Sequence, residues 1–186
     1  MNTIILLILL SIGIEIMSLI WFFTDPRSIK DRLSYYTQPK SLLFYLLIIT
    51  MLFLQIINIL FFPNLSLPNN QLVFIVGLSF YSFGIILATW AKLTMKSNWG
   101  TPAQHNFKRQ NELVTKGPFR LTRNPIYLGD ISISFGYFLA LRSYLIFFTL
   151  FILQYFYLSA LKEEKLLEKY FGNKYLKYKQ KTRRFI

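Results

Sequence analysis

Apolar residues fall along this chain in long, almost unbroken runs separated by short polar stretches, the pattern of helices that cross a bilayer. Residues 3–23, 41–62 and 72–92 are each near the roughly 20 apolar positions that a spanning helix requires. A fourth run, 126–160, is too long for one span and is interrupted by Arg142-Ser143. A charge at mid-helix costs roughly 2.5–3.5 kcal/mol on insertion scales, so this run reads as a hairpin of 126–141 and 144–160 with Arg142 at the far surface. The pattern predicts an all-α, multi-pass transmembrane bundle of about five spans. The first arm of the hairpin is short, and its helix is expected to start in the interface or lie tilted.

Composition agrees, since 54% hydrophobic residues and only 16% charge exclude an ordinary soluble domain. The basic residues set the orientation. Arg27, Lys30, Arg32 and Lys40 occupy the first connection, and Lys96, Lys108, Arg109, Lys116, Arg120 and Arg123 the third. Residues 63–71 contain neither Lys nor Arg, and the tail from Lys162 is the most basic segment. The chain is therefore expected in the cell (plasma) membrane, amino terminus outside, with the first and third connections and the carboxyl terminus cytosolic. Orientation accounts for the net charge of +13, which meets anionic membrane lipids more simply than nucleic acid. The first run has no charged n-region or small-residue exit and should stay as a helix. Cysteine is absent, which excludes disulfides, thiolate metal sites and Cys nucleophiles, and the single histidine, His105, has no companions for a zinc shell. No metal is expected.

Several local signals refine the scaffold. Glu15 lies near mid-depth of the first span, where a carboxylate must be protonated, paired or put to use. Asp25-Pro26 marks a helix start, with an interfacial helix expected over 28–36. Gly77, Ser79, Ser82, Gly84 and Ala88 make the third span a surface that another helix can approach closely. Trp99-Gly100 and Pro102 read as an interface anchor and a turn. Residues 1–94 form a three-span scaffold, and 95–186 a polar loop, a helical hairpin and an amphipathic carboxyl-terminal helix, all one integrated domain.

The chemistry is expected at 113–129, a polar insert between apolar runs. Gly117-Pro118 and Asn124-Pro125 each break a helix, because the residue before proline is pushed out of the helical region. Lys116, Arg120 and Arg123 make the insert cationic, while Val114, Phe119, Leu121 and Ile126 give it anchors, so it should be folded and docked. After the last span a helix continues through 162–171 and is capped by Gly172. Its face of Leu166, Leu167, Tyr170 and Phe171 has Glu163 at its middle, whereas Glu164 and Glu168 fall on the polar side as partners for lysines. An inward carboxylate needs a partner, either a basic residue such as Arg123 or a ligand amine or hydroxyl. Because the hairpin returns to its own side, the insert and this helix must form one cytosolic-face cap over a hollow.

Signatures of common soluble enzymes are missing: there is no G-x-G-x-x-G, no G-x-x-x-x-G-K, no H-E-x-x-H and no serine elbow. Four pieces do form a pattern: Leu113-Val114-Thr115-x-Gly117, Arg123-x-Pro125-x-Tyr127-x-Gly129, Glu163-Glu164 and Phe171-Gly172-x-x-Tyr175-x-x-Tyr178. In order and spacing they resemble the isoprenylcysteine carboxyl methyltransferase family, grouped with phospholipid N-methyltransferases. The resemblance covers about the last 90 residues. It implies an integral membrane methyltransferase that uses S-adenosylmethionine, its cofactor pocket in the cytosolic cap and a lateral route for a lipophilic acceptor. By position it implies cofactor contacts at Gln104, Asn111, Glu112, Leu113, Val114, Phe119, Asn124, Pro125, Ile126, Tyr127 and Glu163. Asn111 and Asn124 stand where histidines are common in the family, and Phe119 replaces the usual tyrosine. Ser159, expected at the substrate, falls where the eukaryotic enzymes carry an arginine. Arg123 and Glu163 are the expected catalytic residues; an amine acceptor has to shed a proton, for which Glu163 or Glu112 is the candidate base. The competing reading is an NADPH-dependent oxidoreductase of the steroid 5-alpha-reductase type, which Pro125-Ile126-Tyr127-Leu128-Gly129-Asp130 partly matches. Otherwise Asp130 reads as a charge favourable to the dipole at a helix start. A third reading, a non-catalytic membrane adaptor, needs none of these residues.

Overall fold

A computed structural model describes residues 3–25, 28–37, 39–62, 66–98 and 112–185. Among the described residues seven α-helices follow one another: α1 (Thr3–Phe23), α2 (Ile29–Tyr36), α3 (Pro39–Phe61), α4 (Gln71–Met95), α5 (Pro125–Ala140), α6 (Thr149–Phe171) and α7 (Asn173–Lys181). Short 3-10 turns occupy Lys96–Asn98, Gly117–Arg120 and Tyr144–Phe148. Among the described residues there is no strand, only two isolated bridges. The molecule is an all-α membrane bundle. Thr3–Phe23, Gln71–Met95 and Tyr144–Phe171 are each long and apolar enough to cross a bilayer, and Ile49–Phe61 in α3 is a shorter apolar stretch. The short hairpin arm is α5, whose 16 residues reach only about 24 Å at 1.5 Å per residue.

The tightest pairing is α4 on α5, and its cause is the absence of side chains at the seam. A Cβ on Gly77 would lie 2.5 Å from the Ala140 amide nitrogen, and one on Gly84 2.6 Å from the Gly129 carbonyl oxygen. Backbone cannot retreat as a side chain can, so the two helix axes come together only with glycine there. Of the small residues expected to let another helix approach the third span, Gly77, Gly84 and Ala88 make this surface, whereas Ser79 and Ser82 are exposed on the other side of α4. On its flank α1 is pinned by Tyr81, whose hydroxyl donates to the Leu10 carbonyl at 2.5 Å, and by Ser11 Oγ, 3.4 Å from the Tyr137 hydroxyl. Leu6, Leu10, Met17, Tyr81, Ile133 and Tyr137 are buried together in this core.

The hairpin turns where the sequence is interrupted. Arg142 adopts φ +54°, Ser143 N donates to Phe138 O at 2.9 Å, and Ser143 Oγ accepts from Leu145 N at 3.2 Å. The connection before α4 closes on the same turn, with Leu67 N donating to Arg142 O at 2.7 Å. These two connections therefore share one end of the bundle. At the other end, α2 is tied to α1 by Arg32 Nη1, which donates to Phe22 O at 2.7 Å. Glu15 is exposed on the outer side of α1.

Candidate functional site

Two prolines build the insert. Gly117 takes φ +58°, which favours glycine, and Pro118 opens the 3-10 turn that sends Phe119 inward; Pro125 then starts α5 as its first residue. Phe119 packs with Ala91, Met95, Trp21, Val114 and Ile126, so the insert is docked as its apolar anchors required. Leu121, counted among those anchors, is instead 68% exposed.

The carboxyl-terminal part folds back over this insert. Gly172, at φ +51°, ends α6 and lets α7 reverse, as the helix cap at that residue foreshadowed. Tyr178 then donates from its hydroxyl to Phe119 O at 2.6 Å. The last described residues run alongside 122–124: Thr122 and Arg183 form a parallel bridge, Arg123 N donates to Arg183 O at 2.8 Å, and Asn124 Nδ2 donates to Arg184 O at 3.1 Å. Arg123 adds Nη1 bonds to the carbonyls of Lys179 and Thr182 at 3.0 and 2.8 Å.

The acidic pair divides its partners in a way that helix geometry did not anticipate. Glu163 accepts a 2.8 Å hydrogen bond from the Tyr127 hydroxyl, and the Tyr127 ring stacks on Phe156 with centroids 5.0 Å apart. Arg123, a candidate partner for Glu163, bonds Glu164 Oε1 instead at 2.9 Å. Arg184 grips both oxygens of Glu164, through Nε at 2.7 Å and Nη2 at 3.1 Å. Glu164 is thus not a solvated companion of lysines but a 4% exposed anchor, because α7 and the tail cover the side of α6 that looks polar when α6 is taken alone. Glu168 pairs with Lys179 of α7 at 3.0 Å rather than within its own helix, and Tyr170, assigned to the apolar face, is 53% exposed. Both acids stand in the charged part of α6, beyond the apolar stretch that ends near residue 160. Burial pushes Glu163 up from the usual carboxylate range, opposed by the Tyr127 bond and aided by the charge of Glu164. Burial also acts to raise Glu164, but the hydrogen bonds and charges of Arg184 and Arg123 outweigh it and hold that carboxyl below its usual range.

Between insert and α6 lies a cleft of about 490 Å³ out to solvent, enclosing about 50 Å³ of interior space. Glu112, Leu113, Val114, Phe119, Asn124 and Glu163, all expected cofactor contacts, line it together with Arg123. Pro125, Ile126 and Tyr127 form the first turn of α5 beside it rather than its lining. Ser159 is half-buried on α6, one turn before Glu163. Gln104, Asn111 and His105 lie outside the described residues, as do Trp99, Gly100 and Pro102. Sequence reasoning missed Met95, Asn98, Glu164 and Leu167 as lining residues. It found Tyr175 and Tyr178 only as part of a motif, and Arg184 left no signal apart from a basic tail.

Two polar atoms on the lining residues have no partner. The Tyr175 hydroxyl, on a fully buried side chain, and Arg123 Nε are both buried without a hydrogen bond. Such groups cost roughly 1–3 kcal/mol each when left unsatisfied. Among the described residues no group of three or more His, Cys, Asp or Glu is placed to hold a metal ion.

The sequence also matches known proteins. A family model described as phospholipid methyltransferase matches residues 72–174, which runs from α4 into α7 and takes in the cleft's lining except Tyr175 and Tyr178. The chain is also 33% identical over 110 residues to protein-S-isoprenylcysteine O-methyltransferase of Xenopus laevis. That match covers 58% of this chain and 38% of the relative, so the chain corresponds to well under half of the relative's length. With more than half of its residues inside the family model, this membrane protein belongs to the phospholipid methyltransferase family.

Proposed function

We propose that this protein transfers a methyl group from S-adenosylmethionine to a lipophilic acceptor, with the cofactor held in the cleft between the insert and α6. One observation carries the reading: the Pro-punctuated insert and the acidic turn of α6 meet, Tyr127 on Glu163 at 2.8 Å, over a cleft whose buried Tyr175 hydroxyl and Arg123 Nε lack partners. Those donors fit a ligand rich in acceptors, and Glu163 and Glu112 on the lining fit one that also carries ammonium and hydroxyl groups.

When bound, S-adenosylmethionine supplies a methyl group on a sulfonium sulfur, a centre that reacts by in-line displacement. The protein's share of the work is then position. Glu163, fixed by Tyr127, holds its ligand on the α6 wall of the cleft beside Leu167, and Phe119 excludes water from the insert wall. Glu164 stays committed to Arg123 and Arg184, locking insert, α6 and tail into one unit. The acceptor approaches from the bilayer, alongside the exposed apolar residues of α6 such as Leu150, Phe151 and Leu158.

Calorimetric titration of the detergent-purified protein with S-adenosylhomocysteine tests the reading. Saturable binding is expected, weakened roughly tenfold or more in Glu163→Ala, since a charge-assisted hydrogen bond contributes about 1.5–3 kcal/mol. No binding by the wild type overturns the proposal. Incubation with a lipid extract and radiolabelled methyl donor then identifies the acceptor.

A further inference from the structure

α1 turns one side to the bundle and the other to the lipid. Leu6, Leu10 and Met17 are buried in the core with residues of α4 and α5, and Gly13 lies against the Tyr81 hydroxyl. At about 100° per residue Glu15 stands about 160–180° round the helix from Leu6, Gly13 and Met17, directly away from the protein. It is exposed, and among the described residues no hydrogen bond or ion pair reaches its carboxyl group. At about 1.5 Å per residue it lies about 18 Å from Thr3 and about 12 Å from Phe23, inside a hydrocarbon layer of about 30 Å. Its side chain is too short to reach either surface from there. Lipid offers no hydrogen bond at that depth, so the group that satisfies Glu15 comes from another protein surface.

Apolar spacing alone selects no contact line on α1, because every exposed isoleucine and leucine suits lipid. Glu15 selects one. Ile5, Ile8, Ile12, Glu15 and Leu19 recur at alternating steps of three and four, all of them exposed. That is the seam of a left-handed pair of helices, with a single polar layer near its centre to fix register. Every copy of the chain crosses the bilayer in the same direction, so a second copy is the one partner certain to present a polar group at this depth and angle. In a parallel α1 pair Glu15 meets Glu15. A carboxyl group that keeps its proton both donates and accepts, so two of them satisfy each other as two ammonium groups could not. Lipid gives helices no hydrophobic drive to associate, which leaves packing and this polar layer to hold the pair.

We propose that the outer face of α1 is a homodimer interface: a second copy of this chain packs its α1 there about a two-fold axis along the membrane normal, with Glu15 hydrogen-bonded to Glu15. The contact is isologous, each seam residue meeting the other copy's seam, so it closes at two chains. No residue of the seam belongs to the cleft lining, and the inference stands apart from the methyl transfer proposed above.

Two measurements on the full chain in phosphatidylcholine vesicles test it. In the first, Lys177→Cys, exposed on α7, carries a donor or an acceptor dye, and energy transfer is followed as added lipid dilutes the protein. With Glu15 present the chain is expected to dimerise. Glu15→Gln should keep most of the affinity, since an amide also donates and accepts, and Glu15→Leu should lose about tenfold. In the second, Glu15 is retained and single thiols are oxidised within the bilayer by copper–phenanthroline. Ile8→Cys on the seam is expected to cross-link severalfold faster than Leu9→Cys, which is as exposed, at 53% against 50%, but about 100° away round the helix. A chain that stays monomeric when concentrated in lipid, which would leave Glu15 to a different protein's helix, overturns the inference. So does a Glu15→Leu variant that associates as tightly as wild type, or equal cross-linking of the two thiols. Thermal unfolding checks that the variants fold; should Glu15→Leu fail to, the two thiol variants decide with Glu15 in place.

Discussion

Glu163 and Glu164 are adjacent, identical in chemistry and opposite in circumstance. Glu164 is clamped by two guanidinium groups with 5% of its side chain exposed, and Arg123 is equally enclosed at 9%. Removing one member of such a buried pair leaves a charge without compensation, a loss of roughly 3–5 kcal/mol. Glu164→Gln is therefore expected to lower the unfolding temperature of the detergent-solubilised protein markedly, whereas Glu168→Gln, whose bond to Lys179 is about 40% exposed, should change stability by less than about 1 kcal/mol. The pH dependence separates the two neighbours. Glu164 is held below its usual range, so its contribution is present above the unfolded-state value and is lost as pH falls through the lower, folded one. Glu163 is raised, so its contribution is present below the unfolded-state value and fades as pH rises through the folded one. Wild type should accordingly lose stability below the ordinary carboxylate range, near pH 4. Glu164→Gln should flatten that acid limb and leave the loss at higher pH, which belongs to Glu163, in place. An unfolding temperature that falls equally steeply in acid with and without Glu164 would count against its assignment as the anchor.

At the scale of the helices, what the sequence showed and what it hid have one physical origin. The bilayer demands that a crossing backbone satisfy itself, so spans appear as apolar length, and the Arg142-Ser143 break and the Gly172 cap appear as interruptions of it. The α4 and α5 seam was half visible, since small residues on one helix announce a close approach but not to which partner. The closure of 182–184 over 122–124 was hidden, because it is made largely by backbone groups some 60 residues apart that any sequence supplies. For the same reason the sequence left the partner of Glu163 open, Arg123 among the candidates, and did not show that Arg123 pairs with Glu164: only α7 and the tail decide which face of α6 is inside. The seam itself yields a test. A valine at Gly136 would drive methyl groups into the Tyr81 amide and the Gly77 carbonyl, both backbone. Gly136→Val is expected to cost at least about 3 kcal/mol, the upper part of the range for overpacking, because neither neighbour can yield. Ile86→Val on the exposed side of α4 should stay within about 0.5 kcal/mol. Comparable melting of the two variants would mean that the helices are not held at this distance.

For the whole molecule, the two ends differ in charge as much as in structure. The connection before α4 closes on the Arg142 turn with no Lys or Arg among residues 63–71, while the cleft end gathers Lys116, Arg120, Arg123 and the entire tail from Lys162. Retention of basic segments on the cytosolic side predicts that the cleft faces the cytosol and the 66–70 connection the opposite side. Because the chain has no cysteine, single thiols report this without a background. Asn69→Cys and Lys177→Cys replace exposed residues at opposite ends, on a connection and on α7. In intact cells a membrane-impermeant maleimide is expected to label Asn69→Cys at once and Lys177→Cys only after permeabilisation. The opposite pattern would put the cleft on the outer face, away from its proposed cofactor. Labelling of both before permeabilisation would contradict a bundle that crosses the membrane between α4 and α7. The proposed methyl donor is supplied from one face only, so topology tests the proposed function independently of acceptor choice.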